Sequence, residues 1–271
     1  MYKLIALDID GTLLDKNKGI SAKTKSVINA ILKTVSIVLI SSRMPDAMRY
    51  LQEDLGVLDQ PLVAFNGGLV LHNNEILSHT GIDFQTFKTV LDQNEDLNLH
   101  LSLFHNDEWY APGDDYWSRR EIKNTRVKPI FKSNIQVYDD WKVYHKEPHK
   151  IMCMGEEDKV DEMYRRLSEK ENESLHLYRS KPTYIEMAPR QTSKLFGLEV
   201  LLQKVYPQLE LSDIIAYGDN YNDIEMLENV GMGVAVANAK PEVKAVADEV
   251  TSSSLEDGVA VHLEKIFQLK F

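Results

Sequence analysis

Residues 2–14 read YKLIALDIDGTLL, an apolar run that leads directly into two aspartates and a glycine. The apolar part, from Tyr2 to Asp8, is typical of a buried strand. In an extended chain alternate side chains share a face, so Asp8 and Asp10 lie on one side, about 7 Å apart. Two carboxylates that close repel each other unless a cation or a shared proton lies between them. Taken alone, Asp10-Gly11 is equally typical of a turn, so its meaning depends on the other polar residues of the chain.

Strand-like and helix-like segments alternate on both sides of a long central stretch. Residues 35–40 read VSIVLI, a continuously apolar run of the kind expected for a strand covered on both faces. This alternation predicts an α/β fold, with a Rossmann-like, doubly wound parallel sheet and helices on both of its faces. The predicted strands are 2–8, 35–40, 62–65, 213–217 and 233–236, and the predicted helices are 21–32, 45–56, 192–205, 223–230, 241–247 and 258–267.

Residues 83–187 differ in composition from the chain on either side. They hold more aromatic and charged residues, strand-like segments at 99–104, 108–111, 150–155 and 183–187, and an amphipathic helix around 158–170. We interpret this stretch as an α+β cap domain that is inserted into the α/β domain. The core domain is then discontinuous and comprises residues 1–82 and 188–271.

The overall charge argues against a nucleic acid as partner. Among 271 residues, 31 are Lys or Arg and 42 are Asp or Glu, which gives a net charge of −11, and no long basic run occurs. The N-terminus lacks a signal-peptide pattern, and no apolar stretch reaches the roughly 20 residues that cross a bilayer. We therefore expect a cytoplasmic protein without a membrane partner. The single cysteine, Cys153, is expected to be a buried apolar residue, and nothing in the sequence bears on oligomeric state.

Polar residues follow the ends of four predicted strands. Taken singly, the two serines among them are typical of a helix cap, and the Asn-Gly pair is typical of a hairpin turn. Ligands of an open parallel sheet bind at the carboxyl ends of its strands, however, and all of these residues are expected at that edge. We therefore predict one polar site there. The residues concerned are Asp8, Asp10, Ser41, Asn66 and Asp219.

Four acids concentrate negative charge at this edge, namely Asp8, Asp10, Asp219 and Asp223. Hard oxygen ligands with room for water suit Mg²⁺, which usually shares its site with a phosphate. Lys194 lies at the predicted start of a helix, where backbone N–H groups also favour an anion. A lone lysine in that position is an ordinary surface residue. Together with the acids, it indicates a site for a metal ion and a phosphate group.

The order of these motifs resembles that of the haloacid dehalogenase superfamily of phosphatases. The four motifs correspond here to 8–14, Ser41, Lys194 and 218–223. Flanking segments are similar to the Cof-type branch, whose members carry a class IIB cap after the third strand. These segments are FNGG at 65–68, YIEM at 184–187, NDIEML at 222–227 and GVAVANA at 233–239. Relatives usually have Thr-Gly-Arg where this chain has Ser41-Ser42-Arg43, so the hydroxyl is kept and the freedom of a glycine is lost.

The resemblance implies a reaction through an aspartyl-phosphate. It gives catalytic roles to Asp8 as nucleophile, to Asp10 as general acid and base, and to Lys194. For that role we expect the pKa of Asp10 to be raised toward the working pH by the neighbouring carboxylates, an effect that the metal ion opposes. Mg²⁺ is the implied cofactor, with Asp8, the backbone carbonyl of Asp10 and Asp219 as its ligands, and with Asp223 reaching it directly or through water. The implied phosphate-binding groups are Ile9, Ser41, Ser42, Asn66, Lys194 and Asn222.

The function expected from this resemblance is that of a Mg²⁺-dependent phosphatase acting on small phosphorylated metabolites such as sugar phosphates. A phosphomutase or phosphotransferase uses the same intermediate and passes the phosphoryl group to another hydroxyl. A slow phospho-acceptor or metabolite-binding regulator is the non-enzymatic alternative, although it does not need an acid/base group two residues after its acceptor. The cap is expected to select the leaving group. Its aromatic residues either line a sugar-binding face or pack within the cap, and they include Trp109, Tyr110, Tyr116 and Trp117.

Overall fold

A computed structural model describes residues 2–73, 75–171 and 173–269, apart from the side chain of Ser180. The chain divides into two compact units. One comprises Met1–Arg43, Met48–Ser78 and Ser193–Phe271, and the other comprises Met44–Ala47 and His79–Thr192. We refer to them as the core unit and the inserted unit.

Fourteen strands and ten α-helices lie within the residues that the structure describes. The strands are β1 (Leu4–Leu7), β2 (Ser36–Ile40), β3 (Leu62–Ala64), β4 (Leu69–His72), β5 (Glu75–His79), β6 (His100–His105), β7 (Glu108–Ala111), β8 (Ile130–Phe131), β9 (Lys150–Met154), β10 (Leu175–Lys181), β11 (Tyr184–Pro189), β12 (Ile214–Gly218), β13 (Met232–Val236) and β14 (Glu249–Thr251). The helices are α1 (Ala22–Ile31), α2 (Asp46–Leu55), α3 (Phe84–Gln93), α4 (Tyr116–Thr125), α5 (Asn134–Val143), α6 (Glu157–Lys170), α7 (Lys194–Lys204), α8 (Ile224–Asn229), α9 (Pro241–Val246) and α10 (Gly258–Ile266).

The sheet of the core unit has the strand order β14-β13-β12-β1-β2-β3-β4-β5. The strands from β14 to β3 are parallel, whereas β4 runs antiparallel to β3. All four residues of β1, in the interior of the sheet, are fully buried, which requires cover on both faces. The predicted α/β fold with a doubly wound parallel sheet is therefore confirmed. Its edge formed by β4 and β5 is an addition that the sequence analysis did not predict.

Helices cover both faces of this sheet. On one face α7, α8 and α9 pack on alternate strand residues, and Leu198 and Ala6 belong to that apolar cluster. On the other face, the hydroxyl of Tyr217 in β12 lies 2.7 Å from Nδ1 of His262 in α10. Because α1 contacts α10, it lies on that face as well. This arrangement leaves the carboxyl ends of the strands as the edge at which loops meet.

The inserted unit has its own sheet and its own apolar core. Its strand order is β10-β11-β9-β6-β7-β8, and its pairings are antiparallel except for that of β7 with β8. Residues of α3, α5 and α6, such as Phe87, Trp141 and Met163, pack with alternate residues of the strands. Cys153 is fully buried in this cluster, as expected, and burial raises the pKa of its thiol.

Two helices of the inserted unit begin at aspartates that the sequence analysis did not interpret. Asp83 accepts hydrogen bonds from the backbone N–H groups of Gln85 and Thr86, and α3 follows. Asp115 caps α4, and its second carboxylate oxygen lies 2.7 Å from Nδ1 of His100 in β6. No helix in 2–73, 75–171 or 173–269 is both long and apolar enough to cross a membrane.

Candidate active site

The first acid of the site directly follows β1. The backbone N–H of Asp8 donates to the carbonyl oxygen of Tyr217 at 3.2 Å, so the pairing of β1 with β12 extends to this residue. Asp219 follows the end of β12 and is thereby brought beside Asp8. Gly11 allows the close approach of the first loop, because its φ is +89° and an added Cβ would lie 2.3 Å from Oδ2 of Asp219.

Three carboxylates come together at this point. Asp8, Asp219 and Asp223 each offer an oxygen, and these oxygens lie within 4.8 Å of one another. Asp223 is fully buried, and its Oδ2 accepts the backbone N–H groups of Asp219 at 2.9 Å and Asn220 at 3.0 Å. The loop after β12 therefore folds around its own carboxylate. We call Asp8, Asp219 and Asp223 the acid cluster.

Lys194 supplies a positive charge between two of these acids. Its Nζ lies 2.6 Å from Oδ1 of Asp8 and 2.5 Å from Oδ1 of Asp223, and its side chain is fully buried. It is the first residue of α7, which is capped by Ser193. The turn after β3 packs closely on this helix start, since an added Cβ on Gly67 would lie 2.1 Å from the carbonyl oxygen of Ser193.

The charges of this group are not balanced by Lys194 alone. Burial and the neighbouring charge of Asp223 raise the pKa of Asp8 to about 6, although Lys194 opposes the shift. Burial and the charges of Asp8 and Asp223 raise the pKa of Asp219 to about 8. Burial lowers the pKa of Lys194, but the contacts with Asp223 and Asp8 outweigh it and raise the pKa above its ordinary value. Three carboxylates thus face one ammonium group.

These residues fit a hard divalent cation. The acid cluster offers carboxylate oxygens, which are the ligands that Mg²⁺ takes in proteins. Burial and the repulsion between the acids raise the pKa of Asp8 and Asp219, and a cation would offset both effects by compensating the negative charge. The acid cluster could therefore hold a metal ion.

A second polar group lies at the ends of β2 and β3. The side-chain amide of Asn222 donates to Oδ1 of Asn66 at 2.9 Å, and the backbone N–H of Asn66 donates to the carbonyl oxygen of Ser41 at 2.9 Å. Asn66 and Ser41 are buried, and Ser42 is half-buried. Ile9 is buried in the first loop, where its carbonyl oxygen accepts two backbone N–H groups. The Asn-Gly pair that suggested a hairpin turn does lie between the antiparallel strands β3 and β4.

Asp10 lies against two cations rather than within the acid cluster. Nε of Arg43 lies 2.6 Å from its Oδ2 and Nη2 lies 2.9 Å from its Oδ1, while Nζ of Lys18 lies 3.2 Å from the same Oδ1. Burial raises the pKa of Asp10, but the hydrogen bonds and charges of Arg43 and Lys18 outweigh it and hold the pKa below its usual value. The expectation of a raised pKa was wrong, because it took account of the neighbouring acids and not of Arg43.

Two further contacts of the site were not predicted from the sequence. The hydroxyl of Thr12 donates to Oδ1 of Asp219 at 3.4 Å, and the side-chain amide of Asn238 donates to the carbonyl oxygen of Gly11 at 2.7 Å. Thr12 lies within the first motif, and its position there could have indicated that it belongs to the site. Asn238 follows β13, the strand beside β12, and the rule that loops meet at the carboxyl ends of strands would have placed it here.

The aromatic residues of the inserted unit divide into two groups. Trp109 is 2% exposed and stacks on Phe104 with ring centroids 5.7 Å apart, and Tyr110 packs edge-on against Trp141. These two residues therefore serve packing. Tyr116 is 69% exposed and contacts the ring of Trp117.

Comparison with known proteins agrees with this geometry. A family model described as haloacid dehalogenase-like hydrolase matches residues 5–263. A Haemophilus influenzae protein that is classed as a phosphatase, with no substrate named, is 34% identical and covers 98% of this chain and 99% of its own. A Bacillus subtilis protein named 5-amino-6-(5-phospho-D-ribitylamino)uracil phosphatase is 31% identical, and the match covers 98% of both chains.

Solved structures share the whole fold. A haloacid dehalogenase-like hydrolase from Bacteroides thetaiotaomicron has a TM-score of 0.89 at 26% identity and covers 98% of this chain and 100% of its own. A subclass IIB sugar phosphatase of the same superfamily has a TM-score of 0.83 at 20% identity, with coverage of 98% and 100%. The chain belongs to the haloacid dehalogenase-like hydrolases and is a phosphatase of their Cof-type branch.

Proposed function

We propose that this protein is a Mg²⁺-dependent phosphatase that hydrolyses small phosphorylated metabolites through an aspartyl-phosphate on Asp8. The observation that carries the proposal is the buried contact of Lys194 with Asp8 and Asp223, beside Asp219. A structural ion pair needs one acid for one lysine. Here one lysine contacts two acids, and a third acid, Asp219, lies beside them at the edge of the sheet where ligands bind.

Asp8 is the proposed nucleophile. Its carboxylate is buried, and Lys194 binds one of its oxygens, which keeps the group oriented and favours its ionised form. In the first step an oxygen of Asp8 bonds to phosphorus as the bond from phosphorus to the leaving oxygen breaks. The same ammonium group stabilises negative charge on the phosphoryl oxygens that develops during this transfer.

The phosphoryl oxygens are proposed to bind a set of donors around Asp8. Positioning and charge stabilisation account for most of the rate enhancement in phosphoryl transfer. Each donor therefore lowers the barrier because the protein holds it in a fixed position. The side chains of Asn66 and Asn222 fix one another by their hydrogen bond, and Asn66 is tied to Ser41 through the backbone. The proposed donors are the side chains of Ser41, Asn66, Lys194 and Asn222 and the backbone N–H groups of Ile9 and Ser42.

Asp10 is the proposed proton-transfer group. It gives a proton to the leaving oxygen in the first step and takes one from the attacking water in the second, when the bond between phosphorus and Asp8 breaks. Its side chain is 43% exposed, which leaves it accessible to water. The cations beside it lower its pKa, so the protonated form is scarce at neutral pH but gives its proton up readily.

The proposed metal ligands are Asp8, Asp219, Asp223 and the backbone carbonyl of Asp10. A bound Mg²⁺ supplies positive charge opposite the negative charge of the phosphoryl group and of the acid cluster. Thr12 orients Asp219 through its hydroxyl, and the two backbone N–H groups hold Asp223.

The proposed substrates are sugar phosphates and related polyol phosphates. This class is supported by the Bacillus subtilis relative, whose name describes a phosphate on a ribityl chain. We propose that residues 83–187 act as the cap that selects the leaving group.

The function is tested by phosphate release from a panel of phosphorylated metabolites. The wild-type protein is expected to release phosphate from sugar phosphates, and Asp8→Asn is expected to abolish release while the circular dichroism spectrum stays unchanged. Asn fits the volume of Asp but is a poor nucleophile. Release of phosphate by Asp8→Asn would contradict the assignment, and an isomerised sugar phosphate in place of free phosphate would indicate a phosphomutase.

Removal of divalent cations tests the metal separately. Chelation is expected to abolish phosphate release, and added Mg²⁺ is expected to restore it. Activity that persists after exhaustive chelation, with no gain on adding Mg²⁺, would exclude the metal from the reaction. Tight binding of a phosphorylated ligand without turnover of any ester would favour a regulator.

A further inference from the structure

The guanidinium of Arg43 donates hydrogen bonds to both oxygens of the Asp10 carboxylate. Its Nε lies 2.6 Å from Oδ2 and its Nη2 lies 2.9 Å from Oδ1. A planar guanidinium that binds a carboxylate through two parallel hydrogen bonds fixes its plane as well as its place. The third nitrogen, Nη1, donates to the hydroxyl of Tyr50 in α2 at 3.1 Å. Tyr50 therefore fixes the Arg43 guanidinium on the side away from Asp10, while the other two nitrogens bind the Asp10 carboxylate.

The backbone of Arg43 is fixed on both sides. Its N–H donates to the hydroxyl oxygen of Ser41 at 3.3 Å, and its carbonyl oxygen accepts the N–H of Phe65 at 3.1 Å. Arg43 is 5% exposed, whereas the side chain of Asp10 is 43% exposed. Arg43 is therefore a buried residue with a fixed backbone, and the Asp10 carboxylate that it binds is accessible to solvent.

The second cation at Asp10 cannot give the same support. Nζ of Lys18 lies 3.2 Å from Oδ1 of Asp10, but the lysine side chain is 47% exposed. An exposed lysine on a flexible stem fixes no orientation and contributes little energy. Of the two cations at this carboxylate, the structure makes Arg43 the one that sets its direction.

We propose that Arg43, with Tyr50 behind it, is the positioning residue for proton transfer by Asp10. The inference rests on the proposed function of Asp10. In the first step the electron pair of the breaking bond stays on the leaving oxygen, and that oxygen receives the proton of Asp10. In the second step water attacks phosphorus, its proton passes to Asp10, and the electron pair of the breaking bond returns to Asp8. Arg43 touches no reacting atom in either step and acts by keeping the Asp10 carboxylate aimed at the oxygen concerned.

The test uses leaving groups that differ in their need for a proton. The value of kcat/KM, which covers formation of the aspartyl-phosphate, is measured with a series of aryl and alkyl phosphates for the wild type, Arg43→Gln and Arg43→Lys. A nitrophenolate leaves without a proton, and an alkoxide does not. In Arg43→Gln we expect a loss of about 100-fold or more with alkyl phosphates and little change with nitrophenyl phosphate. Arg43→Lys keeps the positive charge but cannot form the two parallel hydrogen bonds to Asp10, so we expect its losses of kcat/KM to resemble those of Arg43→Gln.

Three further variants make the test specific. Tyr50→Phe removes only the support behind the guanidinium and is expected to shift the alkyl-to-aryl ratio in the same direction by a smaller factor. Arg49→Gln removes a half-buried arginine of α2 and is the matched control with an unchanged ratio. In an Asp10→Asn background, Arg43→Gln is expected to have no further effect on the ratio, because both act on one proton transfer.

Several results would overturn the inference. An equal loss with alkyl and aryl phosphates would mean that Arg43 shapes the site or binds the phosphoryl group. Wild-type behaviour of Arg43→Lys would mean that charge alone suffices. If Arg43→Gln does not fold, an unchanged ratio in Tyr50→Phe and Arg43→Lys rejects the inference as well. Failure of the proposed function has a different signature, since the wild type would then release phosphate from neither class of ester.

Discussion

At the scale of single residues, the acid cluster combines burial with like charge. Asp223 is satisfied by two backbone N–H groups and by Lys194, so its charge is well compensated within the protein. Asp219 has only the hydroxyl of Thr12 among the side-chain hydrogen bonds that the structure describes for it, at 3.4 Å. It is therefore the acid of the cluster whose charge depends most on a cation.

Removal of the metal is expected to make stability depend on pH through Asp219. Its pKa is raised to about 8 in the folded protein, so between pH 4 and 8 the folded state binds more protons there than the unfolded state does. Its contribution to stability is then fully present below about pH 4 and is lost as the pH rises through 8. In a chelator, we therefore expect the Tm of the wild type to fall relative to that of Asp219→Asn between pH 5 and 9. Added Mg²⁺ is expected to raise the wild-type Tm most at high pH, where fewer protons compete.

The comparison with Asp219→Asn provides the control. Other titrating groups are common to both proteins, so their effects cancel in the difference. Without metal at pH 9 the variant is expected to be the more stable protein, by roughly 2–4 °C for each kcal/mol of repulsion removed. A difference in Tm that stays constant from pH 5 to 9, measured by scanning calorimetry, would show that Asp219 does not carry this linkage.

At the scale of elements, the turn after β3 and the start of α7 together place Lys194. Gly67 in that turn has a φ of +91°, and its backbone approaches the carbonyl oxygen of Ser193 so closely that no side chain fits. The same turn carries Asn66, whose side chain contacts Asn222. One packing contact between backbones therefore sets both the lysine and part of the proposed phosphate site.

Gly67→Ala is expected to displace the start of α7 and with it Lys194. An added Cβ would lie 2.1 Å from the carbonyl oxygen of Ser193, and the positive φ adds strain. We expect a loss of about 1–3 kcal/mol in the free energy of unfolding and a larger fractional loss of kcat/KM. Gly113→Ala is the matched control, because an added Cβ there meets nothing within 4 Å. Equal activity of the two variants would refute this role of the turn.

At the scale of the whole molecule, the two units have separate apolar cores. The cluster of the inserted unit contains only residues between Ile82 and Met187, and the cluster around β1 contains only residues of the core unit. Every contact described for the acid cluster, Lys194 and Asp10 also joins residues of the core unit. The proposed chemistry therefore belongs to the core unit, and we propose that the inserted unit selects the substrate.

Replacement of residues 83–187 by a short Gly-Ser linker tests this division. The shortened protein is expected to keep Mg²⁺-dependent hydrolysis of nitrophenyl phosphate and to lose its preference among phosphorylated metabolites. Relative kcat/KM values across a metabolite panel measure the preference, and circular dichroism checks the fold. A folded, metal-binding variant that no longer hydrolyses the aryl ester would mean that the inserted residues take part in the chemistry.

Much of the core unit was predictable because its signals are local. A continuously apolar strand, such as residues 36–40, can be recognised from a few consecutive residues. The same is true of a capped helix, such as the one after Ser21. The addition of β4 and β5 to the sheet was missed because the Asn-Gly turn after β3 does not by itself indicate that two more strands follow it. In the inserted unit α3 was missed although Asp83 and the spacing of Phe84, Phe87 and Val90 were available in the sequence.

The part of the site that lies at the carboxyl ends of the parallel strands was predictable from the sheet topology. Parallel strands bring their carboxyl ends to one edge. The structure brings Asp8, Asp219 and Asp223 close together there, and Lys194 contacts Asp8 and Asp223. The partner of Asp10 could not be found in this way. Arg43 and Lys18 reach Asp10 through long side chains, and the contact of Arg43 with Tyr50 is not determined by sequence spacing. The direction of the pKa shift of Asp10 was mistaken for the same reason.

Acid-quenched mass spectrometry of Asp10→Asn, after mixing with nitrophenyl phosphate and Mg²⁺, tests directly whether Asp8 is the nucleophile. Since the nitrophenolate leaves without a proton and water then lacks its base, the phosphorylated protein should accumulate. We expect one phosphoryl group on the peptide that contains residues 2–14, located on Asp8. A phosphoryl group on another residue, or none on a protein whose wild type still releases phosphate, would contradict the role of Asp8 as nucleophile.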